Sequence, residues 1–536
     1  MSYIEPNSTI KVLHNVPLDK TYDHTLFFAL NNQASQTNYF LSMTKYTFER
    51  QSYQRVNKNV LRIEKLADLL YDCNYMMFKN DRTGLQERWF YAFINTVTYI
   101  NENVAEIEYE IDVMQTWHYN YMLDYCFVER EHAATDVIGD NLVPENLELG
   151  EYQTGEASFP TAMINGVSTN VLAQKSIVIA TSYDADGDVD HPEYAWFYGN
   201  LFSGLKLTAF SNDQQGIDDA KAFIKDANDN LKTDGIISMF YAPTNFVTDS
   251  GDPVKQYTCT FTKQTTSFDG YVPHNKKLFT YPYNFLYVTN MQGKSAVFPY
   301  EFFSTSNCVF LLYGDFNLNP SVLLFPCYYK GANTNYDELL QISGWPMCSW
   351  TTDVFQAWVA QEAAALPFSA MQTVVSSASS LTTAGMMSQV MGSDMPLLMS
   401  KQGVTANIAG QVFNVCKEAA IHALQPPQSH GTQSGSTLAS ANLLNFAFYN
   451  KHIRSDFAQM IDQYFDMYGY ATHRVKVPNR SVRDEWTYTK TVGCTIIGAM
   501  PSDDQRKICD IYNNGITFWK NPSHVGNYSL PNPIST

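Results

Sequence analysis

Asp184, Asp186, Asp188 and Asp190 recur at alternate positions, the spacing that opens an oxygen-rich calcium loop. Such a loop also needs glycine at its sixth position and a bidentate glutamate at its twelfth. Val189 and Ala195 stand there instead, so the aspartates read as a surface turn and no metal is expected. The run Ser429-His430-Gly431-Thr432-Gln433-Ser434-Gly435 gathers hydrolase residue types, but it lacks the flanking strand and helix that would present a nucleophile. Glu129 and Glu131 fall on one face of an extended segment and read as structural. Paired-carboxylate glycosidase chemistry stays open, because its two acids can lie far apart in the chain. No HExxH, phosphate loop, GxSxG or GxGxxG stands in a fitting context. The expectation is a chain with no catalytic residue, no metal and no cofactor.

A second row of acids points elsewhere. From Val104 to Val113, Ala105, Ile107, Tyr109, Ile111 and Val113 alternate with Glu106, Glu108, Glu110 and Asp112. Period two makes one face of a strand apolar and the other wholly acidic. Like charges on one face repel, and they are tolerated where water or basic groups lie opposite. Two readings stay open: a solvated sheet surface paired with Arg or Lys, or the wall of a channel that conducts a polyanion. An acidic wall lowers friction with nucleic acid by preventing ion-paired sticking.

The elements that must position these residues are mostly strands. Only 16% of the 536 residues are charged, while 14% are aromatic, including 35 Tyr and 33 Phe. That balance favours sheets and wide subunit contacts over disorder. The length implies roughly two to four domains. A formal charge of −18 disfavours tight binding to nucleic acid or anionic lipid. Nine scattered cysteines without a CxxC pair read as reduced core thiols of a protein assembled in a cytoplasm. The first residues, MSYIEPNSTIKVL, show no signal-peptide pattern.

Patterning divides the chain into a β-rich part over 1–145, a mixed α/β insertion over 146–250 and a second β-rich part over 251–358. A low-charge loop and linker over 359–445 and an α+β segment over 446–536 follow. In the first part, Trp89 to Ile94 reads as a buried strand. In the insertion, a strand over Ser176 to Thr181 precedes a helix with Ile217, Ala220, Ile224, Ala227 and Leu231 on one face, and a strand from Ile236 to Tyr241 follows it. Phe285 to Thr289 and Val309 to Tyr313 are further strands. Near the end, Ile453, Phe457, Met460, Ile461, Tyr464, Phe465 and Tyr468 mark a helix stopped by Gly469. Arg474 to Val477 and Trp486 to Ile497 read as strands, and Ser502 with Gln505 as the capping box of a helix ending near Gly515. The fold class expected is mainly β with α+β insertions.

Strictly between Glu362 and Lys417 the only charged residues are Asp394 and Lys401. The stretch is long enough to span a bilayer, but Ser, Thr and Gln interrupt its hydropathy. Its small residues suit close helix packing in lipid, and Met371, Met386, Met387, Met391, Met395 and Met399 suit irregular surfaces. Asp394 and Lys401 bracket Met395-Pro396-Leu397-Leu398-Met399, which fits the tip of a hairpin that crosses and emerges, since an ionised Asp at bilayer centre would cost about 3 kcal/mol. Two readings stay open here also: a conditional membrane segment, hidden until use, and a low-complexity loop or buried hairpin. Gln425 to Thr437 then reads as a linker.

Several stretches carry a family likeness. They are Trp89-Phe90-Tyr91-Ala92-Phe93, the run from Glu110 to Trp117, and Val128-Glu129-Arg130-Glu131-His132. Near the end come Tyr468-Gly469-Tyr470, His473-Arg474-Val475-Lys476, Asn513 to Lys520 and Gly526-Asn527-Tyr528-Ser529. Together these resemble the distal tail-knob protein of small short-tailed phages that infect Gram-positive bacteria, over roughly 1–135 and 355–536. The resemblance implies a homohexameric tube at the distal end of the tail, with tail-tube-like β domains around a lumen through which DNA passes without specific binding. It implies a partly helical apolar loop that plugs the lumen and later forms a pore in the host cytoplasmic membrane. Placed before Gln425-Pro426-Pro427, that loop covers about Ala363 to Leu424. Expected partners are the lower collar or tail tube and a tip-associated wall-degrading protein. A tail-associated cell-wall hydrolase and a stand-alone pore-forming toxin are the alternative readings.

Overall fold

The structure is a computed structural model that describes residues 8–29, 32–51, 59–80, 88–183, 196–197, 201–202, 206–230, 235–247, 254–315, 321–349 and 443–535. It is mainly β, and the chain forms two compact units. Unit 1 comprises Met1–Glu148, Tyr271–Leu278 and Ser455–Thr536, and unit 2 comprises Leu149–Gly270 and Phe279–Arg454.

Unit 1 is built on a six-stranded antiparallel sheet. Its strands are β1 (Ser8–His14), β3 (Thr44–Gln51), β4 (Val60–Ile63), β5 (Cys73–Asn80), β6 (Phe90–Asn101) and β7 (Val104–Ile111), in the order β3-β1-β5-β6-β7-β4. Alternation sorts their side chains onto two faces. Ile10, Val12, Met76, Phe78, Ala92, Ala105, Ile107, Tyr109 and Ile111 share one core with Trp117, Ile508, Tyr512 and Phe518. On the opposite face Leu13, Tyr75, Met77, Tyr91 and Phe93 pack with Phe40 of helix α1 (Gln33–Ser42) and with Trp486 and Trp519. Both halves are therefore needed to bury this sheet, which explains why the C-terminal segment joins the N-terminal one.

A second sheet of unit 1 has the order β2 (Thr25–Leu26), Ile516–Trp519, Trp486–Val492, β9 (Cys126–Glu131) and Tyr470–Lys476. Helix α2 (Val113–Thr116) follows β7, and β8 (Tyr121–Leu123) pairs with Ile496–Gly498. Trp486 to Ile497 is thus two strands rather than one: Gly493 turns the chain at φ +66°, a region that few side chains tolerate. Helices α4 (Ser455–Tyr468) and α5 (Ser502–Asn514) cover the C-terminal strands. Ile453 belongs to the strand before α4, and Met460 is exposed. Gly469 ends α4 at φ +65°, and its N–H donates to the Phe465 carbonyl at 2.8 Å. A Cβ there would lie 2.1 Å from the Glu131 carbonyl oxygen, so the close approach to β9 requires glycine. The capping box expected at Ser502 is not formed: Pro501 is the N-cap, and the Gln505 amide turns to the Ile496 carbonyl at 3.1 Å.

Unit 2 holds three larger antiparallel sheets around one core that includes Val178, Phe240, Leu286, Phe310, Leu324 and Phe448. In its first sheet, Lys175–Thr181 lies between Lys206–Ser211 and Ile236–Pro243. Helix α3 (Gln214–Asp229) follows Lys206–Ser211 and crosses over Lys175–Thr181 to reach Ile236–Pro243. The expected strand-helix-strand order thus omitted Lys206–Ser211 and the two-residue strands Trp196–Phe197 and Leu201–Phe202, and the pairing is antiparallel.

Candidate functional site

The acidic row lies on β7, an inner strand flanked by β6 and β4. Glu106, Glu108 and Glu110 point to one side at about 7 Å intervals, while Ala105, Ile107 and Tyr109 are buried on the other. Glu106 pairs in register with Arg62 on β4 and Thr98 on β6, and the Arg62 Nε donates to it at 2.9 Å. Glu108 accepts from the Thr96 hydroxyl at 3.1 Å. Glu110 receives Lys507 of α5 at 3.2 Å. Two cations therefore offset part of the row, and sequence reading had named neither. The same sheet face carries Lys11 on β1, bonded to Thr47 at 3.1 Å, and Lys79 on β5, whose ammonium lies 5.3 Å from the Trp89 ring centroid. The rest of that face is apolar: Leu13 on β1, Tyr75 and Met77 on β5, and Tyr91 and Phe93 on β6 are buried there.

Asp112 leaves this row. β7 ends at Ile111, and Asp112 becomes the N-cap of α2. Its carboxylate accepts the Met114 and Gln115 N–H groups at 3.0 and 3.1 Å and the Tyr75 hydroxyl at 2.8 Å, with the residue 1% exposed. Burial pushes the carboxyl up to about 6, with these hydrogen bonds opposing the rise. The expected fourth acid of the face is a buried structural cap. Gln115 three residues after Asp112 is the spacing of a capping box, the signal that marks the end of the strand.

The other acids flagged from sequence divide. Glu131 is buried, with Lys476 at 2.6 Å and the Asn479 N–H at 3.0 Å, and Glu129 pairs with Lys490 at 3.0 Å. Both tie β9 to neighbouring segments of unit 1. Asp184, Asp186, Asp188 and Asp190 lie outside the described residues, as does Ser429 to Gly435. So does the whole low-charge loop, with Met371, Met386, Met387, Met391, Asp394, Met395, Pro396, Leu397, Leu398, Met399 and Lys401. Among the described residues no helix is long and apolar enough to cross a membrane, and no group of three or more His, Cys, Asp or Glu could hold a metal ion.

Sequence reading also missed a polar hub in unit 1. Asp462 on α4 is fully buried among Ala458, Ile461 and Phe465, where an apolar stripe was expected. It accepts from the Tyr271 hydroxyl at 2.7 Å, the His274 N–H at 2.7 Å, the Asn275 N–H at 3.0 Å and the Asn275 side-chain amide at 2.8 Å. Asp466, one turn on, accepts from Asn275 at 2.6 Å and pairs with His274 at 3.1 Å. Burial raises the Asp466 carboxyl, and its hydrogen bond raises His274. The hub fastens Tyr271–Leu278 onto α4.

Comparison with known proteins gives a consistent picture. A family profile described as "Bacillus phage phi29, Tail knob protein gp9, C-terminal domain" matches residues 251–533. One described as "Caudoviral major tail protein N-terminus" matches residues 6–122. The chain is 24% identical to the tail knob protein gp9 of Bacillus phage PZA and 22% identical to that of Bacillus phage phi29, over 100% of each chain. A solved structure of the bacteriophage C1 tail knob protein, gp12, shares the fold, with a TM-score of 0.61 at 13% identity over 98% of this chain and 100% of that one.

Proposed function

The chain belongs to the tail knob protein gp9 family, and from that premise we propose that it works as a homohexameric conduit at the distal end of a virion tail. It is a structural tail protein, of a family not known for enzymes. The observation that carries the proposal is the position of the acidic row. The residues matched by the caudoviral tail profile, 6–122, contain the whole six-stranded sheet, and Glu106, Glu108 and Glu110 stand together on one face of it, opposite Ala105, Ile107 and Tyr109. In the proposed tube that face borders the lumen.

The physical reasoning is electrostatic. Binding to DNA draws its strength from cations that displace counterions at phosphates. A wall that presents carboxylates, partly offset by Arg62 and Lys507, offers passing DNA little to hold. The duplex then slides without specific contacts.

The low-charge loop over 363–424 supplies the other half of the proposal. Six copies plug the lumen before infection, which keeps apolar surface from water. On contact with the host surface they leave the tube and form a pore in the cytoplasmic membrane, with Asp394 to Lys401 at the tip. The lower collar or tail tube joins the conduit above, and a wall-degrading protein joins it at the tip.

Dye-loaded liposomes test the pore. A peptide covering 363–424 is expected to release dye at neutral or acidic pH, and the full chain lacking those residues is expected to release none. No release by the peptide at either pH would overturn the membrane role and leave the conduit to be judged separately.

A further inference from the structure

Three cysteine thiols meet in unit 1, although Cys126 is far in sequence from Cys494 and Cys509. Cys126 opens β9, Cys494 follows the turn after Trp486–Val492, and Cys509 lies on α5. The ladder brings them together. Val492 pairs with Phe127, Ile496 pairs with Leu123, and the Asp124 N–H donates to the Thr495 carbonyl at 3.0 Å. Residue 494 is therefore held directly beside 124–126. The Asn513 side chain of α5 accepts the Cys494 N–H at 3.0 Å and the Thr491 hydroxyl at 3.0 Å, which fixes the turn against the helix. Cys494 and Cys509 pack against the same core of unit 1, and Cys494 lies near enough to Cys126 and Cys509 for the thiols to influence one another. All three are free thiols; Cys126 is buried, and Cys494 and Cys509 are half-buried.

We propose that this trio is a redox-sensitive staple, in which Cys494 forms one disulfide with either Cys126 or Cys509 when the chain meets a disulfide oxidant. The oxidant class is a small-molecule disulfide such as oxidised glutathione. The Cys494 thiolate attacks one glutathione sulfur, forming a mixed disulfide and expelling glutathione thiolate. The neighbouring cysteine thiolate attacks the Cys494 sulfur and expels the second glutathione. Two protein thiols and one oxidised glutathione become one protein disulfide and two reduced glutathiones.

The register of Val492 with Phe127 and of Ile496 with Leu123 sets Cys494 opposite Tyr125, next to Cys126 in the chain, where Cα separations approach the range a disulfide accepts. A bond between Cys126 and Cys494 closes a very long loop, the case in which a cross-link most restricts the unfolded chain. Burial raises all three thiols above their ordinary values, so the trio stays protonated at neutral pH and reacts slowly there. A reduced trio suits assembly in a reducing compartment, and a closed one suits a particle released into an oxidising medium.

The test uses the purified full chain, incubated with oxidised glutathione at pH 7.5 and pH 9, then alkylated, digested without reduction and read by mass spectrometry. A peptide joined through Cys494 to Cys126 or Cys509 is expected, forming faster at pH 9. It is expected to accompany a rise in Tm of roughly 5 °C that dithiothreitol reverses. Cys126→Ser and Cys509→Ser should each keep a bridge through the remaining partner, whereas Cys494→Ser should lose both bridge and Tm gain. Cys494 remaining fully alkylated in the oxidised wild-type chain at both pH values would overturn the proposal, as would a bridge among these three that omits it in the wild type. The wild-type measurement decides even where a variant folds poorly.

Discussion

The Tyr75 hydroxyl donates a 2.8 Å hydrogen bond to the buried Asp112 carboxylate, tying the middle of β5 to the turn at the end of β7. A carboxyl held near 6 in the folded chain, against an ordinary 3.8, binds a proton that the unfolded chain releases between about pH 4 and 6. Stability contributed by this group is present below that window, falls as pH rises through it, and is lost above. The difference amounts to roughly 3 kcal/mol. Asp112→Asn keeps an acceptor for Met114 and Gln115 and a polar partner for Tyr75. It should flatten the pH dependence, gaining stability at pH 7.5 relative to wild type and little at pH 4. Urea melts at both pH values check this, and an unchanged pH profile in the variant would refute it.

His132 works in the opposite sense. Its Nδ1 accepts the Tyr488 N–H at 2.7 Å, its Nε2 lies 3.0 Å from the Asp466 carbonyl, and burial together with the nearby Arg483 charge holds the ring down to about 3. A depressed histidine contributes stability that is present above its ordinary value of 6.5 and is lost as pH falls towards 3. His132→Gln should be less stable than wild type at pH 7.5 by about 2 kcal/mol, from lost hydrogen bonds. It should also lose less on acidification to pH 4.5. Thermal melts across that range read both effects.

The Asp462 hub should be the most sensitive polar position of unit 1. Asp462→Ala strands the Tyr271 hydroxyl and the His274 and Asn275 N–H groups, at a cost of about 3–5 kcal/mol. Hydrogen exchange should show the amides of 271–278 losing protection before those of β5 and β6. Equal protection in variant and wild type would mean that the segment is held by other contacts.

The acidic row was legible because an alternating strand writes its faces into the sequence, as Glu106, Glu108 and Glu110 against Ala105, Ile107 and Tyr109 show. Asp112 misled because the alternation runs two residues past the strand, through a helix cap whose spacing to Gln115 was there to be read. Arg62 and Lys507 were out of reach, since register and helix placement decide which cation meets which acid. Asp462 hid inside an apolar stripe, and its donors come from a segment nearly two hundred residues away. The strand Lys206–Ser211 is short and only partly buried, which leaves little periodic signal. Periodicity also could not tell that Ser455–Thr536 packs with Met1–Glu148, because contacts between distant segments leave no local pattern.

Reversing the charge of the row should change how the conduit handles DNA. Substituting lysine at Glu106, Glu108 and Glu110 together puts cations on the proposed lumen wall. Assembled variant rings should bind duplex DNA at 50 mM salt and release it at 200 mM, with a log–log slope of about −0.9 per phosphate engaged. Wild-type rings should bind none at either salt. Filter binding measures this, and equal binding by the two proteins would remove the row from the DNA path.

Cryo-electron microscopy of the assembled full-length protein tests the central claim most directly. The account predicts a six-membered ring whose channel, with the plug released, is roughly 20 Å wide or more, as duplex DNA requires. Glu106, Glu108 and Glu110 of every copy should face that channel. A monomer, a ring too narrow for the duplex, or a ring with the acidic row on its outer surface would contradict it.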